Sequence, residues 1–120
     1  MEKEIFKKVQ ETLAAALGVD ASDVKTESSL KRDLGAESID FIDIIFRLEK
    51  AFDLKIPASD LFPSHIFTDE RYVKEGLITP EGLAELRAKL PYLELGDFDK
   101  DPQVMKLADY FTVKMILRYL

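Results

Sequence analysis

Two stretches of this chain place their apolar side chains at the spacing of a helical face, and no stretch alternates as a half-buried strand must. From Lys3 to Leu17, the residues Ile5, Phe6, Val9, Leu13, Ala16 and Leu17 share one face, and Gly18 marks the stop. From Ser38 to Phe52, the residues Phe41, Ile44, Ile45, Leu48, Ala51 and Phe52 do the same. Further along, Thr79 can cap and Pro80 suits a first helical position. Leu83, Leu86 and Leu90 then recur on one side before Pro91 ends the helix. Ile78 and Leu83 are spaced as a hydrophobic staple. A short helix is also expected in "TDERYVKEG", capped by Thr68 or Asp69 and stopped by Gly76. Helical periodicity returns from Gln103 to Leu120, with a break near Phe111 and Thr112. These patterns predict an all-α protein.

At 120 residues the chain has material for one domain with a modest core. No apolar run approaches the roughly 20 residues of a membrane span. The charged start "MEKEIFKK" lacks the apolar centre of a signal peptide, so a cytoplasmic protein without membrane insertion is expected. There is no cysteine, which excludes disulfides, thiolate nucleophiles and zinc–thiolate sites, and the single histidine, His65, leaves little for an imidazole base. Any thiol chemistry has to use an imported group. A net charge of −6 argues against nucleic acid and suits a partner with a basic docking surface. Asp97, Asp99 and Asp101 open like a calcium loop. Pro102 and Ala108, however, stand where glycine and a bidentate glutamate are needed. Ser64 beside His65 has nothing in the sequence to orient it as a nucleophile–base pair.

In "LGAESID", residues 34–40, a hydroxyl follows a glycine turn at the start of the second helix. Serine is among the best N-caps, and Ser38 can be read as one. Phe41 stands three residues on, so the Glu or Gln of a capping box counted from Ser38 is missing. The same helix carries a second apolar stripe, Ile39, Ile42 and Phe46, apart from its core face and rimmed by Asp43, Glu49 and Lys50. Such a stripe is either a second buried side or an exposed docking strip. The charged rim favours the strip, because those charges are costly to bury.

The run "VKTESSLKRDLGAESIDFIDIIFRLEKAFDLKIP" resembles the acyl carrier protein family along its length. The shared pattern is an apolar-anchored loop, Asp-Leu-Gly, an acidic residue, Ser, an aliphatic residue and an acidic helix ending in Phe. The opening helix and the final "LADYFTVKMILRYL" also resemble that family, so the likeness covers roughly Glu4 to Leu61 and Lys106 to Leu120. It implies a four-helix bundle with an additional inserted helical segment: one domain, with a core of about 1–61 and 104–120 and an insertion of about 62–103. It implies a carrier and not an enzyme. Ser38 would receive 4′-phosphopantetheine from coenzyme A through a phosphopantetheinyl transferase. Acyl intermediates of fatty acid, lipid or polyketide-type biosynthesis would ride on the arm as thioesters, sheltered among core residues such as Ile44, Ile45 and Leu48. Glu37, Asp40, Asp43 and Glu49, with Ile39, Ile42 and Phe46, would form the surface read by that transferase. Acyl-processing enzymes such as ketosynthases and acyltransferases would read it too, and a monomer is expected. Other cargo, aminoacyl or aryl, and a non-carrier interaction module remain the alternatives. The chain departs from the family pattern in Glu37, where aspartate is usual, in the cations Arg47 and Lys50, in the bulk of Phe46 and in its length.

Overall fold

The computed structural model describes residues 2–120. Helix α1 spans Glu2–Leu17 and α2 spans Ser38–Phe52. Two short helices follow, α3 at Ala58–Leu61 and α4 at Ser64–Thr68, and then α5 at Pro80–Lys89. The chain closes with α6 at Val104–Leu107, a 3₁₀ turn at Ala108–Tyr110 and α7 at Val113–Tyr119. The all-α architecture is as expected, and α1 packs against both α2 and α7. Among the described residues, no helix is long and apolar enough to cross a membrane.

The helices form where their sequences say they should. Val9 and Leu13 of α1, Ile44 and Leu48 of α2, and Val113 and Ile116 of α7 are fully buried and join one hydrophobic cluster. Each such side chain removed from water contributes about 1.5–3 kcal/mol. Thr79 caps α5 by accepting from the Gly82 N–H at 3.1 Å. The expected break falls at Phe111 and Thr112, where the Thr112 hydroxyl caps α7 by accepting from the Met115 N–H at 3.2 Å.

One expected helix is absent. In place of a helix over residues 68–76 the chain makes a turn and a two-stranded antiparallel ribbon, β1 at Val73–Lys74 and β2 at Leu77–Ile78, paired Val73 to Ile78 and Lys74 to Leu77. The connection is Glu75–Gly76, with φ of 52° and 79°. Two consecutive positive φ angles make a tight hairpin turn whose twist matches the strands, and Gly76 adopts its share without a Cβ clash.

The segment from residue 62 to 103 is not a surface decoration. Ile66, Ile78, Leu86, Leu90 and Phe98 are buried in the same cluster as the α1–α2 core. Polar ties join it to the last helix. The Glu94 carboxylate accepts from both Lys114 Nζ, 3.0 Å away, and Arg118 Nη1, 2.9 Å away, and these cations hold it below the usual carboxylate range, Lys114 foremost. The Tyr119 hydroxyl donates to Asp60 at 2.8 Å, and its ring meets Tyr92 edge-to-face at 5.2 Å. Burial first, and the Asp60 carboxylate second, push that phenol up to about 12.

Candidate functional site

The long polar loop before α2 is ordered by its own side chains. Val24, Leu30 and Leu34 anchor it in the core. The buried Ser28 and Ser29 are both satisfied: Ser28 Oγ accepts from the Lys25 N–H at 3.0 Å, and Ser29 Oγ accepts from the Arg32 N–H at 3.1 Å. Asp33 accepts from the Ser29 N–H at 2.7 Å. The end of the chain stitches this loop from outside. Leu30 N–H donates to the Phe111 carbonyl at 2.9 Å, Val113 N–H to Ser28 at 3.0 Å and Lys114 N–H to Thr26 at 2.9 Å. Gly35, at φ 74°, makes the left-handed turn that lifts the chain from Leu34 to the start of α2.

The cap of α2 is not Ser38. Glu37 is the N-cap, and its backbone N–H donates to the Asp40 carboxylate at 2.7 Å. The cap is therefore counted from Glu37 and closed three residues on by Asp40, whose own N–H donates to the Glu37 backbone carbonyl at 2.9 Å. Ser38 becomes the first helical residue, exposed, with no capping role for its hydroxyl. It sits in the first turn of a 15-residue helix, where unpaired N–H groups and the positive end of the dipole favour an anionic substituent.

An apolar cavity of about 350 Å³ opens beside Ser38. Phe41, Ile42 and Ile45 of α2 line it, with Ala58, Phe62, Phe67, Ala108 and Phe111 from other segments. Phe41 and Phe62 stack at 4.3 Å between centroids, and Phe111 meets them edge-on at 6.4 and 5.7 Å. Of the three core residues expected to line such a space, only Ile45 does. Ile44 and Leu48 are fully buried and lie elsewhere in the core. Helical spacing had assigned Phe41 to the core alone. Phe62 is expected from the sequence only to turn inward, and Phe67 and Phe111 carry no spacing signal, since the walls meet only after separate segments pack.

The second stripe of α2 is exposed: Ile39 by 75%, Ile42 by 69% and Phe46 by 57%. Its charged rim is less free than its composition suggests. Asp43 pairs with Arg47 at 2.9 Å, Lys50 lies over the Phe46 ring at 5.1 Å, and Asp40 is engaged in the cap. Glu49 is half-buried and accepts from the Ile56 N–H at 2.9 Å, tying the following loop to the helix. Glu37 remains exposed at the helix start.

The chain matches a family model described as a phosphopantetheine attachment site over residues 7–65. It is similar to an acyl carrier protein of Clostridium acetobutylicum, 45% identical over 53 residues, which is 44% of this chain and 69% of that protein. An acyl carrier protein of Rubrobacter xylanophilus is 47% identical over 55 residues, 46% of this chain and 68% of that protein. One of Guillardia theta is 43% identical over 56 residues, 47% of this chain and 69% of that protein.

Proposed function

Because this chain belongs to the acyl carrier protein family and carries a covalently attached 4′-phosphopantetheine, we propose that Ser38 is the residue that holds it. The observation that carries the assignment is the exposed Ser38 hydroxyl, free of capping duty, at the mouth of the apolar cavity. The residues fit the group. The first-turn N–H groups of α2 suit a phosphodiester, and the neighbouring cavity suits an apolar tail. When bound, the arm supplies the thiol that this sequence lacks, on which acyl groups travel as thioesters. The chain's own part is carriage: Gly35 and the Glu37–Asp40 cap present Ser38 outward, and Ile45 with Phe41, Phe62 and Phe111 excludes water beside it.

The exposed strip Ile39, Ile42 and Phe46, with Glu37, Asp40 and Asp43, is our proposed docking surface for a phosphopantetheinyl transferase and for acyl-processing enzymes such as ketosynthases and acyltransferases. Its apolar centre would give contact and its carboxylates steering and specificity. Glu49 sits at the edge of this surface, with its carboxylate committed to Ile56. The proposed cargo is an acyl intermediate of fatty acid, lipid or polyketide-type biosynthesis. We also propose that residues 1–61 and 104–120 form the carrier core, and that 62–103 is an insertion that has merged with it.

Intact-mass analysis after incubation with coenzyme A and a broad-specificity transferase tests the assignment. One phosphopantetheine adduct is expected, mapped to Ser38 by peptide sequencing. A folded protein that takes up no adduct, or takes it up at another residue, would overturn it.

A further inference from the structure

The cavity beside Ser38 draws its walls from two parts of the chain. Helix α2 contributes Phe41, Ile42 and Ile45, whereas Phe62 and Phe67 belong to the segment 62–103. We propose that Phe62 is a specificity-determining residue, whose ring sets how much of an acyl chain this carrier can cover. The inference rests on Ser38 being the attachment point.

The lining residues range from exposed to fully buried: Ser38, Ile42 and Phe67 are exposed, Phe41 is half-buried, Phe62 is 9% exposed, and Phe111 is 1% exposed. Phe62 links the half-buried and the fully buried walls, its ring face-to-face with Phe41 and edge-on to Phe111. Its backbone is fixed on both sides. Its N–H closes the end of α3 on Ala58 at 2.8 Å, its carbonyl accepts from the Ser64 N–H at 2.9 Å, and Pro63 follows. A ring so placed cannot drift along the cavity, so it acts as a stop of defined depth. The other three rings are less suited to that role, Phe67 because it is itself exposed. Phe41 projects from the helix that bears Ser38, and the Phe111 backbone holds the loop ahead of Ser38 through Leu30. The polar lining is confined to Ser38 and Ser64 at the exposed end, so a saturated acyl chain meets only hydrocarbon further in.

Acyl-phosphopantetheine groups of increasing saturated length, transferred from acyl-coenzyme A donors, test this on the whole protein. In the parent chain the thermal midpoint should rise with acyl length and then level off. Cleavage of the thioester by hydroxylamine should slow in parallel, by up to about fourfold for each newly covered methylene. In Phe62→Ala both curves should level off at longer acyl chains. Phe62→Leu, which keeps most of the packing, should shift them in the same direction by less. Phe98→Ala, a core truncation away from the cavity, should lower all midpoints without moving the levelling point. Equal levelling points in the parent, Phe62→Ala and Phe62→Leu would overturn the proposal, as would an equal shift in Phe98→Ala. An adduct on Ser38 with unmoved curves defeats this inference alone, whereas no adduct on Ser38 defeats the attachment reading with it.

Discussion

The Asp40 carboxylate does two things at once: it closes the cap on the Glu37 N–H, and it adds negative charge to the proposed docking strip. The two roles separate in Asp40→Asn, which keeps an oxygen to accept from Glu37 and loses the charge. Arm addition by a transferase should slow in this variant, and by more at low salt than at high salt, because exposed charges act over a screening length that shrinks with ionic strength. Initial rates across a salt series check this, and a salt-independent effect would argue against steering. Ser38 makes the opposite case. With the cap on Glu37, Ser38→Ala should change stability by no more than about 0.5 kcal/mol, as an ordinary surface substitution does, while abolishing arm uptake. Urea midpoints and intact masses read the two effects. Residue preference alone pointed to serine as the cap. The spacing Glu37 to Asp40 was visible in the sequence, but a pair of carboxylates is not the usual Ser/Thr-to-Glu form of the box.

Helices α1, α2 and α5 were legible because each combines a long apolar period with a stop or a cap. The ribbon of β1 and β2 was not, since Glu75 is an uncommon residue to find at positive φ and two-residue strands leave no alternation to detect. Its geometry is set by polar contacts that a pattern cannot show. Asp69 accepts from the Arg71 N–H at 2.9 Å and from its guanidinium at 2.8 Å. The side-chain contact with Arg71 is the main reason the Asp69 carboxyl is lowered from 3.8 to about 2. A depressed carboxylate stabilises the fold above its ordinary value and loses that contribution as pH falls through the depressed one. Amide resonances of residues 71–79 should therefore shift between pH 3.8 and about 2, and Asp69→Asn should remove that transition. Behind the ribbon, Gly82 in α5 offers a second check. Alanine is normally the better helix former by about 1 kcal/mol. A Cβ here would lie 2.6 Å from the Tyr72 carbonyl oxygen and 2.8 Å from Ile78 Cγ2. Gly82→Ala is thus expected to destabilise by about 1–3 kcal/mol, read as a lower urea midpoint.

Over the whole molecule, the family could be read from two amphipathic helices and one motif, but the place of residues 62–103 could not. Its leucines and isoleucines gave apolar surface without an address. In the structure Ile66, Ile78, Leu86 and Phe98 share the cluster that holds Val9, Ile44 and Leu48, and Glu94 binds the segment to α7. The cavity was equally hidden, because its walls meet only after distant segments have packed. Replacing residues 62–103 with a short linker should therefore abolish cooperative unfolding and arm uptake together. Circular dichroism during urea titration and intact mass would show this, and a folded, modifiable deletion protein would refute it.

The stitches between the loop ahead of Ser38 and residues Phe111, Val113 and Lys114 also impose an order in time. A ribosome makes the serine long before it makes the strand of chain that steadies the approach to it. The loop ahead of Ser38 therefore gains its last backbone partners only once the chain has been made as far as Lys114.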